Sequence, residues 1–292
     1  MTKKIIIKFI YTLEMIKFSH SVFALPFALA ALIFAAGGFP SLKTAGLIIL
    51  AMVTARNTAM AFNRFADAGI DAKNPRTANR HIPKGSLSRG FVLGFAIING
   101  ALFIWIANLF NPLAFKLSPV ALAIIYFYSY TKRFTHFTQL FLGLSLAIAP
   151  IGAWIAVRGT IELFPILLGL AVMFWAAGFD IFYATQDYHF DKSEGLKSLV
   201  VRFGIAHSLI VAKFFHILSM TFFLTLGIAY HLNIIYLTTV LLMGTFLVFE
   251  HHLVGPNDLS RVNTAFFTLN GAVGILFFVG SILEVMLKPI TV

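Results

Sequence analysis

The chain contains no cysteine and few charges. The first absence excludes a disulfide scaffold, a thiol nucleophile and a cysteine-ligated metal site. Only 11% of its 292 residues are charged, and eleven are Asp or Glu, against about 25% charged in a soluble domain. That is too little charge to solvate the surface of a water-soluble globule. Also missing are a Walker loop, a dinucleotide glycine fingerprint, an HExxH pair and a serine nucleophile elbow. What is abundant is apolar: 59% of residues are hydrophobic, 33 of them Phe, and mean hydropathy is +0.90.

The apolar residues cluster in nine runs, near 20–39, 45–63, 91–110, 113–130, 139–157, 163–183, 208–230, 233–249 and 264–287. Each is roughly 17–24 residues long, enough to cross a hydrocarbon layer of about 30 Å as a helix. None alternates polar and apolar as a barrel strand does. The expected fold is therefore all-α and polytopic: nine transmembrane helices in one integral-membrane domain spanning 1–292, with lipid as a permanent partner. At the N-terminus, Lys8, Glu14 and Lys17 interrupt any signal-peptide apolar segment and no small-residue cleavage site follows, so no cleavage is expected.

The net charge of +11 is a topology signal. Seventeen of the 22 Lys and Arg fall on one face of the nine-run layout, Lys43, Lys116, Arg158 and Lys288 on the other, and Arg56 inside the second run. The positive-inside rule puts the N-terminus in the cytoplasm and the C-terminus outside. No nucleic-acid partner is implied.

Five of the eleven carboxylates form two groups. Asn63, Asp67 and Asp71 recur every fourth residue along one helix face at the end of the second run. Asp180, Asp187 and Asp191, at offsets of 7 and 11, fall near one line of a helix ending the sixth. Both stripes lie at one depth on the cytoplasmic side. Facing carboxylates of this kind suit Mg²⁺, with open positions for phosphate oxygens and water, and carboxylates at a membrane edge are costly enough to mark function.

Cations accompany them. Pro75 and Pro83-Lys84-Gly85 break the helix and leave a loop of about 20 residues carrying Arg76 and Arg80, suited to a diphosphate. Tyr128 and Lys132 end the fourth run on the same face. Arg56 lies seven residues before Asn63, on the same face and about 10 Å deeper. There it needs an anion: either a buried acid of the chain or the carboxylate of a small substrate. Glu250, His251, His252 and Asp258 follow the eighth run and read as a solvated loop, since no partner stands at helical spacing.

Together, Asn63-x3-Asp67-x3-Asp71, Arg76-Thr77-x2-Arg80, Tyr128-x3-Lys132 and Asp180-x2-Tyr183-x3-Asp187-x3-Asp191 resemble the UbiA superfamily of intramembrane aromatic prenyltransferases. Four motifs in order, over about residues 15–285, carry the likeness. Within the superfamily they look most like the bacterial 4-hydroxybenzoate polyprenyltransferase-like branch, some of whose members serve menaquinone made by the futalosine route. The 4-hydroxybenzoate enzymes more often have Arg-Pro-Leu where this chain has Arg80-His81-Ile82. The resemblance implies a bundle around a central cavity and a polyprenyl diphosphate donor. Mg²⁺ would be held by Asp67, Asp71, Asp187 and Asp191 with Asn63 assisting. Arg76, Arg80 and Lys132 would neutralise the leaving diphosphate, Tyr128 and Tyr183 would line the substrate site, and Asp180 or Asp191 would favour phenol deprotonation. Arg56 stands where the family grips an aromatic carboxylate, and haem-farnesylating relatives usually lack it. The implied acceptor is a small aromatic acid, 4-hydroxybenzoate or 1,4-dihydroxy-6-naphthoate, for ubiquinone or menaquinone. The competing class is a proton-coupled transporter, which also uses intramembrane Asp and Arg. Against it stand the one-sided placement of the acids and the absence of an evident inverted repeat.

The charge asymmetry yields a direct test. A single Cys introduced at Ser86 or Ser193 of this thiol-free chain is expected to resist an impermeant reagent in intact cells and to react after lysis. Labelling from outside would invert the topology.

Overall fold

A computed structural model describes residues 2–17 and 23–287. The side chains of Lys3 and Lys4, the start of the first apolar run and Lys288 lie outside the described part. Eleven α-helices follow one another, with no β-strand among the described residues. Helix α1 (Thr2–Ile16) packs against α3 (Leu42–Lys73). The nine apolar runs become α2 (Leu25–Ala36), α3, α4 (Arg89–Asn108), α5 (Pro112–Thr131), α6 (Thr138–Arg158), α7 (Leu163–Ala184), α9 (Leu199–Ala229), α10 (Ile234–Leu253) and α11 (Asn270–Leu287). A short α8 (Tyr188–Ser193) follows α7.

Eight helical segments of the described residues are long and apolar enough to span a membrane, not nine. The exception is α2, at 12 residues. Pro26 sits in its first turn, where a missing N–H costs nothing. Gly37 ends it at φ 62°, a left-handed conformation that glycine tolerates and that lets its N–H cap the last turn. Other starts follow side-chain caps: Ser41, Ser88, Asn111 and Ser198 accept hydrogen bonds from Thr44, Phe91, Ala114 and Val201 N–H.

Two boundaries depart from the sequence reading. The run expected from 208 begins at Leu199, with a kink at Gly204 (φ 74°) that only glycine adopts readily. The Asp180–Asp191 stripe is not one continuous helix. Between α7 and α8 the chain tightens into a 3₁₀ turn, Thr185–Asp187. There the Thr185 hydroxyl donates to Phe182 O at 2.7 Å and competes with the helical ladder.

Lipid replaces water as solvent for the outside of the bundle. Ile210, Ile217, Leu241, Ile228 and Ile234 are exposed, which is tolerable only against hydrocarbon. The centre is aromatic: Phe27 packs on Trp175 and Phe277, and all three are fully buried. Of the spanning segments, the one carrying α7 is the most enclosed. It is the hub on which α6 and α9 pack.

On the side away from the motifs, buried Glu284 of α11 accepts from Asn233 N–H at 2.6 Å and Tyr236 N–H at 3.2 Å. It thus caps α10 from another helix. Glu284→Ala strands those donors, and a hydrogen bond to a charged group is worth about 1.5–3 kcal/mol. We expect a lower melting temperature in detergent for Glu284→Ala and partial recovery with Glu284→Gln.

Candidate active site

Four elements deliver polar groups to one cavity of about 630 Å³. Helix α3 presents Arg56, Asn63, Asp67 and Asp71. The loop at 74–88 presents Asn74, Arg76 and Arg80, and the end of α5 presents Tyr128 and Lys132. Helix α7 and the turns after it present Asp180, Tyr183, Asp187 and Asp191. All twelve residues singled out from the sequence line this cavity. Most of its remaining wall is apolar and runs between α3, α5 and α6 past Met52, Ile124 and Leu146.

Charge pairing organises the polar end. Asp67, 4% exposed, accepts from Lys132 Nζ at 2.6 Å, Arg133 Nη2 at 3.1 Å and Asn63 Nδ2 at 3.3 Å. Both oxygens of buried Asp71 accept from Arg80 Nη1, at 2.7 and 2.8 Å. Arg76 clamps Asp187: Nε donates to Oδ1 at 2.8 Å and Nη2 to Oδ2, while Nη1 donates to the Tyr183 hydroxyl at 2.9 Å. Asn74 Nδ2 adds a bond to Asp187 Oδ1 at 2.8 Å. Burial works against a charged Arg76, but the bonds to Asp187 and Tyr183 outweigh it and push its pKa above the ordinary guanidinium value. At the rim, Lys73 and Glu194 pair at 2.6 Å and tie the end of α3 to the segment after α8.

The carboxylates of Asp180 and Asp191 accept no hydrogen bond among the described residues, although the Asp191 backbone carbonyl accepts from Leu196 N–H at 2.9 Å. Seven cations line the cavity (Lys17, Arg56, Arg64, Arg76, Arg80, Lys132 and Lys197) against five aspartates. The excess suits a polyanion. Arg64 and Lys17 form no ion pair among the described residues. Burial, with Arg64, Arg80 and Arg76 nearby, pushes the Lys17 amine below its usual pKa. Sequence spacing passed over Arg64, Arg133, Asn74 and Lys17. The usable signal for Arg64 was its place beside Asn63, and for Lys17 its place as a lone cation opening an apolar run.

Arg56 meets no acid among the described residues. Its Nη2 donates to Lys17 O at 3.3 Å, and its buried Nε has no hydrogen-bond partner among the described residues. Among the described residues no three carboxylates or imidazoles converge as a metal-ligand set, because cations hold Asp67, Asp71 and Asp187. The donors are nevertheless hard carboxylate oxygens lining one cavity with Asn63, which is the ligand chemistry Mg²⁺ takes. One expectation fails: Glu250 is not in a solvated loop but fully buried at the end of α10.

Residues 24–272 match the model of the UbiA prenyltransferase family. The chain is 30% identical to the 4-hydroxybenzoate octaprenyltransferases of Vibrio atlanticus, over 250 residues, and Photobacterium profundum, over 259. These matches cover 85% and 88% of this chain and 87% and 89% of the relatives. A UbiA homologue from Aeropyrum pernix superposes with a TM-score of 0.83 at 32% identity, covering 91% of this chain and 98% of its own. A UbiA homologue from Archaeoglobus fulgidus bound to GPP and Mg²⁺ shares the fold at 22% identity, with a TM-score of 0.73 over 93% and 99% of the two chains. The chain is a multi-pass membrane enzyme that belongs to the UbiA prenyltransferase family.

Proposed function

We propose that the protein transfers a polyprenyl group from a polyprenyl diphosphate to the ring of a hydroxyaryl carboxylic acid, in an Mg²⁺-dependent step of quinone biosynthesis. The observation that carries this reading is the cavity itself. It joins two aspartate motifs and a surplus of cations at one end to an apolar wall, with a partly unpaired guanidinium, Arg56, lower on α3. Similarity to 4-hydroxybenzoate octaprenyltransferases and to a homologue that binds GPP and Mg²⁺ supports the same assignment. The acceptor class is 4-hydroxybenzoate or 1,4-dihydroxy-6-naphthoate, for ubiquinone or menaquinone. Membership in an enzyme family removes the reason to read the buried charges as a transporter's. The site would lie on the cytoplasmic side of a bacterial inner membrane, with the N-terminus in the cytoplasm, a reading that the placement of Lys and Arg supports.

Asp67, Asp71, Asp187 and Asp191, with Asn63 assisting, would hold Mg²⁺, which when bound supplies positive charge against the diphosphate. Arg76, Arg80 and Lys132 turn from their aspartates toward the donor's phosphates and stabilise charge as the allylic C–O bond breaks. The diphosphate leaves with the bonding electrons, the ring carbon ortho to the phenol attacks the allylic cation, and that carbon then gives up its proton as the phenolate oxygen is reprotonated and the ring regains aromaticity. Either Asp180, which stands outside the metal set, or Asp191 favours loss of the phenolic proton; neither carboxylate accepts a hydrogen bond among the described residues. The apolar wall takes the prenyl chain and keeps water from the cation. Arg56 pairs its planar fork with the acceptor's carboxylate.

Two experiments test this. Asp67→Asn or Asp187→Asn is expected to cut turnover by about 100-fold or more while the protein remains folded in detergent, and EDTA to abolish wild-type diphosphate release. Activity that survives EDTA would sink the metal assignment. Arg56→Lys is expected to raise the acceptor KM more than the donor KM, and Arg56→Ala to cost about 2–5 kcal/mol by stranding a desolvated carboxylate. Equal losses with an acid and an acid-free phenol would remove Arg56 from acceptor recognition.

A further inference from the structure

A second polar cluster lies behind the site, on the far side of α7, and the reaction above makes no use of it. Its centre is Glu250 of α10, with no exposed surface. Glu250 Oε1 accepts from Asn270 Nδ2 at 2.7 Å. Asn270, equally buried, accepts from Trp175 Nε1 of α7 at 2.7 Å and donates to Ala265 O at 3.1 Å. Glu250 Oε2 faces His216 Nδ1 of α9 at 3.8 Å, and His216 shares a 3.0 Å hydrogen bond with His251. The His216 ring lies flush against the backbone of α7, because a Cβ on Gly178 would collide with it. A carboxyl kept this deep in a membrane protein is costly and calls for a function.

Its contacts point to one. Trp175, Gly178 and Phe182 form the face of α7 that touches the cluster, whereas Phe179, Asp180 and Tyr183 line the cavity. The bond from Asn270 to Ala265 O also ties down the π-helical turn Thr264–Leu269. That turn carries Phe266, whose ring lies 4.5 Å from Tyr183 and 5.3 Å from Phe179. Tyr183 in turn receives the Arg76 bond. A rotation of α7 by about 20° would carry an atom roughly 6 Å off its axis through about 2 Å. Displacements of about 1 Å in a catalytic site can cost a hundredfold in rate.

We propose that Glu250 is a positioning residue: through Asn270 and its bonds to Trp175 and Ala265 it sets the rotation of α7 and seats Phe266 on Tyr183, so that the second aspartate motif meets the first. The inference rests on the proposed prenyl transfer only for its kinetic readout. Because the chain has no native thiol, spin labels on cysteines introduced at the exposed positions Ala72 and Ser193 report the relation of the two motifs independently of turnover. In full-length protein in detergent, Glu250→Ala is expected to broaden the distance distribution. It should also raise the prenyl diphosphate KM about tenfold and leave the acceptor KM unchanged, because Arg56 stands on α3. Glu250→Gln still offers an oxygen to Asn270 and should restore both. Adding Tyr183→Phe to Glu250→Ala should cost no more than the worse single change. If Glu250→Ala does not fold, Phe266→Leu, which spares the cluster, should reproduce the rise in donor KM. A wild-type distance distribution in Glu250→Ala, losses that add in the double variant, or an unchanged donor KM in Phe266→Leu would overturn the proposal. Wild-type protein that releases no diphosphate from any prenyl donor would overturn the reaction instead, and the distance distributions would still decide the role of Glu250.

Discussion

The pairing of aspartates with cations at one end of the bundle is the constraint on which the rest depends. Five carboxylates around one partly enclosed cavity would repel one another, and each would lose hydration. Lys132 and Arg133 settle Asp67, Arg80 settles Asp71, and Arg76 settles Asp187. Each pair joins parts of the chain that no helix connects. Asp67 binds α3 to α5, and Asp187 binds the 74–88 loop to the turn after α7. Removing one partner of a buried pair typically costs about 3–5 kcal/mol, because the survivor is left charged and dry. In the proposed reaction an incoming diphosphate would take over cations that now face carboxylates, and the carboxylates released would be those proposed to hold Mg²⁺. The exposed Lys73–Glu194 pair at the rim contributes far less, since water screens it.

That arrangement needs a rigid floor, and the membrane supplies little hydrophobic force to make one, because lipid tails are as apolar as leucine. Packing and buried polar contacts take its place. Phe27, Trp175 and Phe277 interlock around α7, Gly143 lets α6 approach the backbone of α7, and Glu284 closes the N-terminal turn of α10. The Glu250–Asn270–Trp175 chain belongs to the same economy: a few strong polar contacts stand where apolar burial discriminates poorly between arrangements.

Much of the site was legible before folding. Asn63, Asp67 and Asp71 stand at four-residue spacing, which α3 converts directly into one cavity-facing stripe. Asp180, Asp187 and Asp191 also reach the cavity, but not along a continuous helix, because Thr185 turns its hydroxyl to the backbone and tightens the chain. The nine apolar runs all became helices. Pro26 and Gly37 bound the first, and Gly204 allowed the seventh to begin earlier, in a segment that Arg202 interrupts.

Periodicity and charge placement, both local properties, by themselves determined an all-helical membrane protein and picked out twelve of the residues that line its cavity. Only the tertiary structure decided who pairs with whom. Arg64 and Lys17 enter the cavity without a carboxylate partner among the described residues, while Arg133 and Asn74, which spacing had passed over, hold Asp67 and Asp187. Glu250, read as solvated because no partner stands at helical spacing, is buried because α9 and α11 close over it. The reason is physical. Helical spacing fixes direction around one axis, whereas burial and ion pairing depend on which other helices arrive, and those contacts join residues nine positions apart, as in Asp71 and Arg80, and 121 apart, as in Lys73 and Glu194.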